Sequence, residues 1–207
     1  MEDTLLKPAR STIIHEPLPI NTDSITMEEL VKSIKGFKNN KVHGLDNIPI
    51  EVWKTGALGQ QLLDICIKTF NSDGPNIWLK SGIIPLPKKG DLVDTGNYRG
   101  ISLTVTAAKI YNKILLDRMR PHLDPLLRVN QNGLHTGRST LPQILTLRRL
   151  IEGIKEKQLP AILTFVNFTK AFDSIHRGKL MEILKAYGIP TKMWMPSAYS
   201  TRTPKHR

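Results

Sequence analysis

One apolar run, AILTFVNF at residues 161–168, has the β-branched and aromatic content of a buried strand, and it stands alone. A strand cannot satisfy its own backbone N–H and C=O groups, and even a pair of strands is marginal in water. After it the sequence offers one more helical pattern, GKLMEILKAYG, stopped by Gly188 and Pro190. The run must find partners elsewhere, so the chain is expected to be an incomplete α+β domain.

The sequence before that run is mostly helical. TMEELVKSIKGF opens with Thr26 and Glu29 at capping-box spacing, places Leu30, Ile34 and Phe37 on one face, and is expected to stop at Asn39-Asn40. Pro49 opens a short helix through Trp53 that ends at Gly56, and ALGQQLLDICIKTF sets Leu58, Leu62, Cys66 and Phe70 on a core stripe. SGIIPLPKK and YRGISLT read as strands that pair across the turn-rich GDLVDTGN, with Lys88, Lys89 and Arg99 near the loop of the hairpin. TAAKIYNKILLDRM turns Ile110, Ile114 and Leu115 inward and is closed by Pro121. Ser139 or Thr140 caps a long helix that has Pro142 near its first turn and carries Ile144, Leu147, Ile151 and Ile154. Residues 1–25, with Pro8, Pro17 and Pro19 and no periodicity, read as an extended arm.

Thirty Lys plus Arg against 18 Asp plus Glu give a net charge of +12, the footprint of a nucleic-acid binder. The cations, among them Lys88, Lys89, Arg99, Arg118, Arg120, Arg138, Arg148 and Arg149, are spread along the chain, which predicts a folded basic face or channel rather than a basic tail. Cys66 is the only cysteine, so no intrachain disulfide forms, and its apolar neighbours predict a buried thiol. No apolar run reaches the ~18 residues of a membrane span, and the opening Met1-Glu2-Asp3 lacks a signal peptide's basic start, so no membrane partner and an intracellular location are expected.

Five stretches in order, KVHGLDNIPIEVW at 41–53, IIPLPKKGD at 83–91, NYRGISL at 97–103, QNGLHTGRST at 131–140 and FVNFTKAFDSI at 165–175, resemble the reverse transcriptase of LINE-type (non-LTR) retrotransposons. The resemblance implies an α/β (α+β) right-hand polymerase fold, here fingers and a partial palm: an arm at 1–25, a helical lead-in and fingers at 26–160, the first part of the palm at 161–193, and a tail at 194–207. It places Lys88, Lys89 and Arg99 against an incoming nucleotide's triphosphate, where lysine supplies a point charge and arginine a planar donor fork. The bland alternative is a solvated basic turn. Gln131, Gly133, Arg138 and Ser139 match the template and nucleotide side of the fingers, while Leu134 and His135 stand where relatives have Phe and Arg. A helix cap would explain Gly137 to Thr140 equally. Phe172 matches the aromatic residue beneath the nucleotide's sugar, with core packing as the alternative, and Asp173 is expected to cap the turn after the strand.

Asn167 occupies the position of the family's first metal aspartate. Intact relatives use Mg2+, an ion that dehydrates reluctantly and relies on carboxylates and phosphate oxygens, so a neutral amide is a poor exchange. The family's later Asp-Asp hairpin has no match in these 207 residues, and WMPSAYSTRTPKHR, which one permitted codon set turns into a family-like string in another frame, is expected to be an out-of-frame tail. No intact metal site and no cofactor are therefore expected. The resemblance implies RNA template, RNA–DNA duplex and, in intact relatives, dNTP as partners. Three readings follow: an inactive polymerase fragment, a residual binding module for RNA or DNA, or a relic chain without activity.

Overall fold

Thr26 accepts a hydrogen bond from the Glu29 N–H at 3.3 Å while the Glu29 carboxylate accepts the Thr26 N–H at 3.0 Å, so the expected capping box starts α1, Met27–Lys35. The computed structural model describes residues 16–128, 130–133, 135, 137–168, 171, 172 and 174–194. Its order is α1, α2 (Ile50–Lys54), α3 (Gly59–Asn71), β1 (Gly82–Pro87), β2 (Tyr98–Leu103), α4 (Thr106–Leu123), α5 (Leu141–Glu156), α6 (Arg177–Ala186) and α7 (Thr191–Trp194), with short 3-10 turns at Asn76–Leu79, Thr95–Asn97 and Asp124–Leu126.

The core lies among α1, α3 and α4. Leu30, Leu62, Cys66 and Ile110 are fully buried, and Ile34, Ile50, Trp53, Phe70, Ile114 and Leu115 pack around them. Each such aliphatic side chain contributes about 1.5–3 kcal/mol by leaving water. Burial also pushes the Cys66 thiol up to about 12, as the apolar stripe predicts. Residues 16–25 have no regular structure, as an extended arm would, but they are tied down. Ile20 and Ile25 are buried, Leu18 N–H donates to Gly188 O at 2.8 Å, and Lys192 Nζ donates to Thr22 O at 3.1 Å. Residues 1–15 and 195–207 lie outside the described residues, as does most of the expected tail.

Four expectations change. α1 ends at Lys35, with Gly36 as its cap, before Asn39-Asn40; Asn40 instead takes φ 57° in the following turn. α4 runs past Pro121 to Leu123, because so near a helix end the ring forfeits a single backbone bond and a 3-10 turn carries the chain on. α5 forms, but none of its residues is buried, and Ile144 is exposed. Residues 161–168 form no strand. The described residues hold one two-stranded sheet whose strands pair with each other, so no partner is supplied for this run, and it stays exposed to water.

Arg118 was expected among surface cations and is interior. It stands one helical turn after Ile114 on the buried stripe, donating through Nε and Nη2 to the two Glu29 carboxylate oxygens at 2.6 and 2.7 Å. Nη1 also donates to Asp23 O at 2.7 Å, Nη2 donates to Ser24 O at 3.1 Å, and the guanidinium lies 5.3 Å from the Phe70 ring centre. A cation in register with an apolar stripe is the sequence signal for such a buried anchor.

Candidate nucleic-acid interface

The hairpin forms as the strand patterns predict. β1 and β2 are antiparallel, with Leu86 opposite Arg99 and Pro87 opposite Tyr98, and the ladder extends into the loop where Lys88 N–H donates to Asn97 O at 2.7 Å. Gly90 permits the loop's reversal: its φ is 126°, a conformation that side-chain-bearing residues rarely adopt. Tyr98 OH donates to Leu92 O at 3.0 Å and Asn97 Nδ2 donates to Asp91 O at 2.7 Å, so side chains at the start of β2 hold the loop.

This loop sorts its charges. Asp91 Oδ1 accepts the Val93 N–H at 2.9 Å, and Asp94 Oδ1 accepts the Gly96 N–H at 2.8 Å, so both carboxylates serve the main chain. Lys88 Nζ donates to Gly96 O at 3.1 Å. Lys89 and Arg99 have no ion-pair partner among the described residues. Leu86, Pro87, Lys88, Lys89 and Arg99 line a shallow depression of about 300 Å³. The register thus brings together the three cations singled out from the sequence, around an open concavity.

The second set also comes together. Gln131 Nε2 donates to Gly133 O at 3.2 Å and Arg138 Nη1 donates to Gln131 O at 3.3 Å, while Ser139 Oγ accepts the Leu141 N–H at 3.3 Å where α5 begins. Thr140 is the cap residue by position, without a side-chain cap bond. The helix-start reading and the interface reading of these residues hold together. His135 is turned inward: its ring is buried and Nδ1 lies 3.8 Å from Asp124 Oδ2. Leu134 lies outside the described residues. No hydrogen bond or ion pair joins this loop to the hairpin among the described residues.

Asn167 and Phe172 are exposed, so Phe172 is not a core residue. Asp173 lies outside the described residues. The donor set does not fit a magnesium pair: Asn167 offers an amide, and among the described residues no three His, Cys, Asp or Glu side chains gather where a metal ion could sit. No helix of the described residues is long and apolar enough to cross a membrane. The sequence reading overlooked Gly44. An added Cβ there would fall on the Cα and N of Val105, so only glycine lets the 41–48 turn pass under the start of α4.

Residues 86–207 match the family described as reverse transcriptase (RNA-dependent DNA polymerase). The match extends to Arg207, so residues 194–207, expected to have no family counterpart, fall inside the matched span. The chain is 28% identical over 168 residues to the transposon TX1 uncharacterized 149 kDa protein of Xenopus laevis, covering 79% of this chain and 13% of that protein. It is 24% identical over 165 residues to the retrovirus-related Pol polyprotein from type-1 retrotransposable element R2 of Popillia japonica, covering 80% and 22%, and 22% identical over 181 residues to the counterpart in Nasonia vitripennis, covering 84% and 16%. The chain thus spans between 13% and 22% of the length of these curated relatives. With a family match over more than half its length, and motifs in the family's order on the hairpin and the 131–140 loop, the chain belongs to the reverse transcriptase family in its non-LTR retrotransposon branch.

Proposed function

We propose that this chain is the fingers and first palm stretch of a retrotransposon reverse transcriptase, that it holds RNA or an RNA–DNA duplex through phosphate contacts, and that it does not catalyse nucleotide addition. The observation that carries the binding reading is the sorting of charge in the hairpin. Lys89 and Arg99 flank an open depression while the loop's own carboxylates are occupied by main-chain N–H groups. An anion entering there meets fixed positive charge without first displacing an internal ion pair, and Arg99 presents a planar fork suited to phosphate oxygens. Gln131, Gly133, Arg138 and Ser139 form the template side of the same module, and Phe172 the sugar-facing ring, by family position. Exposed Phe172 is free to meet a ligand.

Phosphate neutralisation carries no sequence readout, so binding should be general and strongly salt-dependent. The inactivity reading rests on Asn167, whose amide cannot replace a carboxylate ligand. Titration of the full chain with a fluorescent RNA–DNA hybrid at several salt concentrations tests binding: log affinity should fall linearly with log salt, and Lys89→Ala with Arg99→Ala should reduce the slope by about 0.7–0.9 for each phosphate that is no longer neutralised. A flat titration rejects the binding reading. Extension of a primed RNA template with magnesium by the purified chain, free of contaminating polymerase, rejects the inactivity reading.

A further inference from the structure

The hairpin has two outer edges, and only one is open. Because Lys88 N–H bonds to Asn97 O, alternation along the antiparallel register makes Leu86 with Arg99, Ile84 with Ile101 and Gly82 with Leu103 the hydrogen-bonded pairs. Ile83, Pro85 and Pro87 on β1, and Tyr98, Gly100 and Ser102 on β2, therefore turn their main-chain groups away from each other, toward the outside. On β1 two of these three positions are proline and have no N–H to offer, which closes that edge to strand addition. On β2 all three carry an N–H and a C=O, and Gly100 and Ser102 are exposed.

The same chain displays a strand-former with nothing to pair with. Residues 161–168 contain no charge and no proline, and Ile162, Phe165, Val166 and Phe168 are 94%, 80%, 76% and 74% exposed. A short uncharged window of high β-propensity in water is the kind of segment that adds to an open edge. We propose that the outer edge of β2 and residues 161–168 are the two halves of a self-association site, in which the 161–168 run of one copy adds as a third strand beside β2 of another. The occupant is another copy because the uncharged run brings no like charge to the basic hairpin. Ile84, Leu86 and Ile101 share one exposed apolar face of the hairpin, and a third strand extends that face and covers part of it. The contact is heterologous, so it closes into a dimer when two copies exchange their runs and otherwise grows head to tail.

Sedimentation and amide hydrogen exchange of the nuclease-treated full chain over a range of concentration test this. Larger species should form as concentration rises, with protection of the Gly100 and Ser102 amides rising in parallel. Val166→Lys, at an exposed position that the core does not use, and Gly100→Pro, which removes an outward N–H, should each weaken association by about tenfold or more. Ile83→Pro, on the edge already closed, should leave it unchanged. A single species at every concentration overturns the proposal, as does protection independent of concentration, which would mean pairing within one copy. Association that survives Val166→Lys, or that disappears on nuclease treatment, assigns the edge to another occupant and also overturns it.

Discussion

Replacing Arg118 with Met removes the anchor between α4 and the chain that leads into α1. The guanidinium makes two hydrogen bonds to Glu29 at 2.6 and 2.7 Å and bonds to the carbonyls of Asp23 and Ser24 at 2.7 and 3.1 Å. Breaking one partner of a buried ion pair costs about 3–5 kcal/mol. Glu29 keeps roughly a quarter of its side-chain surface, and its Thr26 cap bonds survive the change, so water and the cap offset part of that cost. A loss of about 2–3 kcal/mol follows, equivalent to about 4–12 °C in Tm for a domain of this size. Urea unfolding followed by circular dichroism measures it, and a double-mutant cycle with Glu29→Gln isolates the pair. The Arg118 hydrogen bond holds the Glu29 carboxyl below its ordinary value of 4.5. A group depressed in the folded state contributes its full stability above that ordinary value and loses it as pH falls through the folded value. The wild-type chain should therefore lose stability as pH falls below about 4.5, and Arg118→Met should lose less over the same interval. A destabilisation under 1 kcal/mol, or a coupling energy near zero, would refute the assignment of Arg118 as a buried anchor.

Three further outcomes are expected. Thr26→Ala removes the α1 cap and should cost about 1 kcal/mol in the same urea assay. Gly44→Ala drives a methyl group into the backbone of Val105 and should cost more than the ~1 kcal/mol typical of a surface change, with disturbed amide signals at Thr104 and Val105 in NMR spectra. Cys66, buried and with its thiol pushed up to about 12, should resist alkylation at neutral pH in the folded chain and react only as the chain unfolds.

Much of the fold is legible in the residues because it is built from local rules. The capping box at Thr26 and Glu29, the Pro49 start of α2, the apolar stripe through Leu62, Cys66 and Phe70, and the pairing of IIPLP with YRGIS all depend on neighbours a few residues away. The pairing also carries Lys88, Lys89 and Arg99 into one place, since strand register follows from a short loop. The end of α4 departs from the local rule because proline breaks a helix only where bonds remain to be broken.

What the sequence determined by itself is the set of helices, the hairpin, the grouping of its cations, and the family, since each is written in spacing and residue type. Tertiary structure decided the rest. Arg118 is an anchor and not a surface cation because Glu29 and the carbonyls of Asp23 and Ser24 converge on it across about 90 residues of sequence. Residues 161–168 carry a strand's composition yet form no strand, because backbone hydrogen bonds need a second strand in place, and composition cannot supply one.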